Sequence, residues 1–314
     1  MQKNSYIETE VKIINIIISV LIIIATVASV VALFVIPNST EIAQLFKTVT
    51  PIDKNKDFIT VFSVGEADAT LICSDGQTVL IDTGTTEYQN ELCSQIYDLG
   101  IKKLDAVFIS HLHDDHAGGI TKITEQFEVD NLIVPSLDSD EESAFFVRSS
   151  KNDILNNGGR VYTAVEGMVV YCGRFEITVL GYYSDLSDEN DRSIFLMAKY
   201  ENDTKFLFTG DAETKAEKRL AENNIDFDCD ILKVGHHGSK TSTSEDFLKI
   251  ATPEYAVISC GANNQYSHPN DVLLKRLEDS KAEIKRTDLH GNVTFHFYQN
   301  SNEINVSTDR VVEQ

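Results

Sequence analysis

Residues 110–119 read SHLHDDHAGG, with three histidines and two aspartates packed into positions 111–116. The chain has eight histidines in all, so this is a deliberate concentration. The preceding run LDAVFIS (104–110) is continuously apolar, as a strand buried on both faces should be. The cluster therefore falls at a strand-to-helix turn, where α/β folds commonly hold ligands. Imidazole nitrogens and carboxylate oxygens suit zinc or a similar divalent ion. In an extended segment His111 and His113 point the same way. Asp115 and His116 come one turn later and can face a second ion. Gly118 and Gly119 permit close packing behind the loop.

Two further runs can supply ligands. FLFTGDAE places Asp211 just after a strand, where a carboxylate can bridge two ions, although Gly-Asp is also an ordinary turn. KVGHHGSKTS places His236 and His237 after another strand. The rest of the chain alternates strands with helices. Strands are expected at 57–64, 70–74, 78–82, 104–110, 131–135, 175–182, 193–200, 204–210, 230–235, 255–261, 292–298 and 303–308. Helices are expected at 87–100, 212–223 and 270–280, with another inside 137–160. Strands then helices, twice over, predict an α/β fold in which two sheets pack face to face with helices outside: a four-layer αβ/βα sandwich.

The start of the chain differs. Residues 13–36, IINIIISVLIIIATVASVVALFVI, carry no charged side chain. As a helix at 1.5 Å per residue they would span about 36 Å, against roughly 30 Å of bilayer hydrocarbon. The run is longer than a signal-peptide core of about 7–15 residues, so an uncleaved transmembrane anchor is expected. The expected order is a tail at 1–12, the anchor at 13–36, a linker at 37–56 and a hydrolase domain from 57 to 314. A short tail inside and a large domain outside the membrane fit that order, although Lys3 and Lys12 against Lys47, Lys54 and Lys56 barely bias it. The net charge of −22, from 49 acidic and 27 basic residues, argues against broad polyanion binding. Five cysteines without C-x-x-C spacing read as buried free thiols.

VLIDTG (79–84), HLHDDH (111–116), TGD (209–211) and HHG (236–238) together resemble the metallo-β-lactamase fold superfamily, in its order. ITVFSVGEADATLI, NDRSIFL, LKVGHHGSKTSTS, YSHP (266–269) and RTDLHGNVTF (286–295) resemble more narrowly the hydrolase domain of ComEC-type competence proteins and their relatives. The resemblance implies that His111 and His113 bind a first ion. It implies that Asp115, His116 and His237 bind a second, and that Asp211 bridges the two. It also implies two divalent ions, Zn2+ or Mn2+, with Asp82 supporting the histidines from behind. His236 would be a further ligand or a substrate contact, and His268 an acid or a phosphate contact. Ser239, Lys240 and Thr241 would hold phosphate oxygens, or simply form a polar turn. His290 and His296 read as ordinary turn or strand residues. Two departures stand out. No histidine lies between His116 and Asp211, so the first ion lacks a third imidazole, with the Asn190–Ser193 segment nearby. Gly65-Glu66-Ala67-Asp68 lacks a second glycine.

The expected reaction is hydrolysis of a phosphodiester, in DNA or a cell-envelope polymer, by a water ionised at the metals. Asp115, His236, His268 and Lys240 are the expected catalytic side chains. Ester, thioester or lactam hydrolysis by the same metals is the enzymatic rival. A metal-stabilised binding domain is the non-enzymatic one.

Overall fold

Continuous apolar runs in the sequence become strands that bury both faces. The computed structural model describes residues 56–137, 142–223 and 225–311. The first half runs β1 (Asp57–Val61), β2 (Thr70–Ser74), β3 (Gln77–Ile81), α1 (Gln89–Asp98), β4 (Lys103–Leu104), β5 (Ala106–Phe108), α2 (Asp114–Ala117), α3 (Ile120–Gln126), β6 (Glu128–Val129), β7 (Asn131–Val134), α4 (Glu142–Asn156) and β8 (Arg160–Thr163). The second half runs β9 (Val169–Cys172), β10 (Phe175–Gly181), β11 (Phe195–Tyr200), β12 (Lys205–Phe208), α5 (Thr214–Glu222), β13 (Ile231–Lys233), α6 (Glu245–Ala251), β14 (Tyr255–Ile258), α7 (Asp271–Ser280), β15 (Glu283–Arg286) and α8 (Thr287–His290). Strands β16 (Val293–Tyr298) and β17 (Ser301–Thr308) return to the first sheet.

Among the described residues, one sheet has the order β17-β16-β1-β2-β3-β5-β7-β8 and the other β15-β14-β13-β12-β11-β10-β9. Alternate residues of each strand serve different layers. In β3, Val79 and Ile81 face the core between the sheets while Leu80 packs under the helices. In β12, Phe206 and Phe208 face that same inter-sheet core and Leu207 packs beneath the other helices. Leu92, Ile96, Ile120 and Ile123 from α1 and α3 cover the first sheet. Leu220, Phe247, Leu273 and Leu277 from α5, α6 and α7 cover the second. The four layers expected from the sequence are thus present, and the described residues form one compact unit.

Several elements depart from expectation. The apolar run at 104–110 is split: Lys103–Leu104 pairs with Glu128–Val129 in a separate two-stranded ribbon, and only Ala106–Phe108 enters the large sheet. Strands β8, β9 and β15, not anticipated, all lie at sheet ends. Their side chains are mostly exposed or half-buried, so they lack the apolar signature of inner strands. Helix α6 was also unanticipated; its start is capped by Ser244, whose hydroxyl accepts the Phe247 N–H. All five cysteines are buried free thiols, as expected. The anchor expected at 13–36, with the tail before it and the linker to 55, lies outside the described residues. Among the described residues no helix is long and apolar enough to cross a membrane.

A buried polar knot ties the two sheets at the N-terminal end of β1. The Asp57 carboxylate accepts from Ser74 Oγ at 2.7 Å, Tyr200 OH at 2.5 Å and Arg174 Nη1 at 2.9 and 3.1 Å. Asp57 and Ser74 belong to the first sheet and Tyr200 to the second.

Candidate metal centre

The ligand-bearing residues sit at the opposite strand ends. Asp82 follows β3, His111–His116 follow β5, Asp211 follows β12 and His236–His237 follow β13. The loops are forced into place by tight local geometry. Asp82, His236 and His237 adopt left-handed backbone angles, with φ of 60°, 49° and 50°. That conformation is unfavourable for side-chain-bearing residues and persists where the surroundings impose it. A Cβ on Gly118 would lie 2.4 Å from the Asp114 carbonyl oxygen, and one on Gly119 would lie 2.1 Å from that of Thr83. The packing role expected of this glycine pair is therefore met.

Two groups of potential ligands share Asp115. Asp115, His116, Asp211 and His237 form the inner group; His111, His113 and Asp115 form the outer one. In the inner group His116 Nε2 lies 3.1 Å from Asp211 Oδ1. His237 Nε2 lies 3.1 Å from Asp115 Oδ2 and 3.4 Å from Asp211 Oδ2. In the outer group His111 Nε2 lies 3.1 Å from His113 Nδ1. Each inner histidine is oriented from behind. His116 Nδ1 meets Asp82 Oδ2 at 2.8 Å, and that carboxylate is itself held by the Ser110 amide and hydroxyl. His237 Nδ1 donates to the Ser259 carbonyl at 3.1 Å. Both rings thus present Nε2 to the Asp211 carboxylate, which is the arrangement that fixes metal-ligating histidines.

The inner group fits a cation. His116 Nε2 and Asp211 Oδ1 are fully buried, lie 3.1 Å apart and have no other partner, so a proton on the imidazole or a cation must join them. Protonation shifts agree. Burial alone would push the His116 and His237 imidazoles down, but Asp211 and its neighbouring carboxylates pull both well above 6.5. Burial raises the Asp115 carboxyl, yet His116 and His237 bring it down to about 2. Asp211, opposed by the same burial, is held well below the usual carboxylate range by His237 and His116. Protons on these imidazoles stand where divalent charge would otherwise sit. His111, by contrast, is driven well below 6.5 by burial and by His116, so it is already a neutral ligand.

The Asn190–Ser193 segment supplies no imidazole, but it braces the ligand loops. Glu189 Oε1 accepts from the Leu112 amide at 3.2 Å, between His111 and His113. Ser193 Oγ accepts from the Asp211 amide at 3.0 Å. The expected accessory residues divide. His236 Nδ1 meets Glu213 Oε1 at 3.1 Å, and its Nε2 lies 3.9 Å from Asp211 Oδ2. His268 Nδ1 meets Glu66 Oε1 at 2.9 Å, and its ring centroid lies 5.5 Å from that of His236. Lys240 is exposed. Ser239 and Thr241 are committed elsewhere: Ser239 Oγ contacts Thr241 Oγ1 at 2.7 Å, and Thr241 donates to Glu213 at 2.6 Å. This follows the polar-turn alternative. His290 and His296 make local contacts with Arg286 and Ser307, as ordinary residues do.

The sequence reading missed Glu66, Glu213, Asp68 and Lys233. Lys233 Nζ lies 2.7 Å from Asp68 Oδ2, and both side chains are buried beneath His237. The available signal was a lysine inside the apolar strand ILKV.

Comparison with known proteins now adds to this geometry. The sequence pattern of the metallo-beta-lactamase superfamily matches residues 63–162 and 200–262, which carry all the residues of the two candidate ligand groups. This chain belongs to the metallo-beta-lactamase superfamily. Its relatives are ComEC-type competence proteins. ComE operon protein 3 of Bacillus subtilis is 28% identical over 263 residues, covering 76% of this chain and 33% of the relative. Recombination protein 2 of Haemophilus influenzae is 30% identical, covering 78% and 29%. The chain therefore spans about a third of the length of these relatives. Among solved structures, CmlA, a diiron β-hydroxylase from Streptomyces venezuelae, has a TM-score of 0.53 at 16% identity, covering 79% of this chain and 55% of its own. That likeness concerns the fold alone. The superfamily is one of metal-dependent hydrolases, and the inner group is a candidate centre of that kind.

Proposed function

We propose that this protein is a membrane-anchored, metal-dependent phosphodiesterase, with residues 13–36 as a single-pass anchor and the hydrolase domain outside the membrane. The observation that carries the catalytic part is the pair of ligand groups joined through Asp115, with bare His116 and Asp211 atoms facing each other in the inner one. When bound, two divalent ions, Zn2+ or Mn2+, would supply an ionised water near neutral pH and positive charge against the growing charge on phosphoryl oxygens. His111 and His113 would hold one ion, His116 and His237 the other, with Asp115 and Asp211 between them. Asp82 and the Ser259 carbonyl keep the imidazoles turned toward that space. His268, held by Glu66, and His236, held by Glu213, stand beside the centre. From there they can contact phosphoryl oxygens or pass a proton to the departing oxygen.

The relatives' names, competence and recombination proteins, support a nucleic acid as substrate. A phosphodiester-bearing envelope polymer has the same reactive group. The net charge of −22 favours brief engagement of either polyanion over tight nonspecific binding.

The test uses the full-length chain with manganese or zinc, offered bis-p-nitrophenyl phosphate, single-stranded DNA, a phosphorylcholine polymer and p-nitrophenyl acetate. Turnover of phosphodiesters that disappears with chelator is the expected result. Turnover of the acetate ester alone would overturn the phosphate reading. Metal uptake without turnover of any substrate would replace the enzyme by a binding domain. Protease shaving of intact cells should remove the domain; full protection would reverse the orientation.

A further inference from the structure

Among the described residues, Lys233 is the one Lys or Arg side chain that is fully buried. Taking an ammonium out of water is expensive, and a buried ion pair often stabilises a protein no better than apolar packing would. Its position shows what it serves. Lys233 Nζ lies 2.7 Å from Asp68 Oδ2 and donates to the Val234 carbonyl at 3.1 Å. Asp68 Oδ1 lies 3.4 Å from His237 Nδ1, on the back of the inner ligand group. Asp68 also belongs to a third cluster of potential ligands, with Asp82 and His116, all buried. A cavity of about 10 Å³ borders Asp68, Asp82, Ser110 and Lys233. That is room for one water and none for a hydrated ion.

Asp68, Asp82, Asp115 and Asp211 thus converge on one buried region, and the lysine is the fixed positive charge among them. We propose that Lys233 is a built-in cation of the centre: it neutralises Asp68, keeps that carboxylate behind His237 instead of among the ligands, and limits the affinity of the inner group for divalent ions. The proposal rests on the metal-centre reading above. Its physical content is a repulsion. An ammonium and a divalent ion share one low-dielectric region, so each weakens the other's place there. Removing the ammonium has opposite effects on the two states. The metal-free protein loses the charge that offsets its carboxylates, while the loaded protein loses a repulsion. Lys233 is accordingly a positioning residue, acting through Asp68 and His237.

The experiment is a thermodynamic cycle on the full-length chain, with Mn2+ alone as the probe. Mn2+ affinity is measured by titration, and melting temperature is measured with chelator and with saturating Mn2+. Lys233→Met should bind Mn2+ at least about tenfold more tightly. Its metal-free melting temperature should fall while the loaded one changes little. The double variant Asp68→Asn/Lys233→Met removes one charge of each sign and should return toward wild-type affinity. Should Lys233→Met alone fail to fold, the Asp68→Asn background gives the same comparison. Asp68→Asn by itself should bind Mn2+ more weakly than wild type, and adding Lys233→Met should restore affinity. Unchanged or weaker Mn2+ binding on loss of Lys233, with equal losses of melting temperature in both states, would overturn the proposal and leave the metal-centre reading intact. A wild-type protein that takes up neither Mn2+ nor Zn2+ would overturn both.

Discussion

The two ligand groups share a carboxylate but are built differently. The inner group is the more enclosed: His116, Asp211 and His237 are almost fully buried, only the shared Asp115 is half-buried, and each imidazole is held on its far side by Asp82 or the Ser259 carbonyl. The outer group has one buried member, His111, with His113 and Asp115 only half-buried. Its expected third imidazole is absent, and the segment in that region braces the loop through Glu189 and Ser193. A closed, pre-oriented group should hold its ion tightly, and an open one should exchange it with solvent. One ion would then be resident and the other recruited, so that assembly of the centre depends on the free metal concentration.

That contrast can be broken most severely at the residue common to the bridging geometry. Asp211→Ala removes the carboxylate facing both His116 and His237, and activity should fall about a thousandfold or more. Metal analysis should show loss from both groups; retention of two ions would refute the bridging position. A narrower cut is Asp82→Asn, which leaves every ligand in place but loosens His116. Affinity should drop about 10–100-fold for the inner ion only, as for other residues that orient metal-binding histidines. Equal weakening of both ions on titration would mean that the groups are not independent.

Acidity separates the groups in another way. In the metal-free protein His116 and His237 are raised above 6.5, so their protonation stabilises the fold fully below pH 6.5. That stabilisation is lost as pH rises through their raised values. Melting temperature with chelator should therefore decline above pH 6.5, while the metal-loaded protein should hold steady because ions replace the protons. A flat profile with chelator would contradict the assignment. His111, already neutral, should contribute nothing to this slope. The smallest effect is expected at Lys240→Ala. Its side chain is exposed, so kcat should be nearly unchanged and any loss should appear in KM. A large fall in kcat would show that substrate draws the lysine inward.

Much of this centre could be read from the sequence because its ligands follow apolar strands. LDAVFIS leads to His111 in one sheet, FLF to Asp211 and ILKV to His236 in the other, and these strand ends meet at one edge of the sandwich. The layered fold was legible for the same reason. What escaped had no local signature. Strands β8, β9 and β15 are short edges with one neighbour each and few buried side chains. Glu66 meets His268, and Asp68 meets Lys233, only because distant segments converge. Reading Gly65-Glu66-Ala67-Asp68 only for its lost glycine hid both carboxylates.

The Asp57 knot has a mechanical consequence. It fastens the sheets at the ends remote from the ligands, with Arg174 and Tyr200 gripping a carboxylate of β1. The sandwich is thus fastened at both margins: by this knot at one, and at the other by pairs such as Asp68 with Lys233 and Asp115 with His237. Held at both ends, the two layers should keep the histidines at a fixed spacing, so a substrate would lie along that margin without wedging between the sheets.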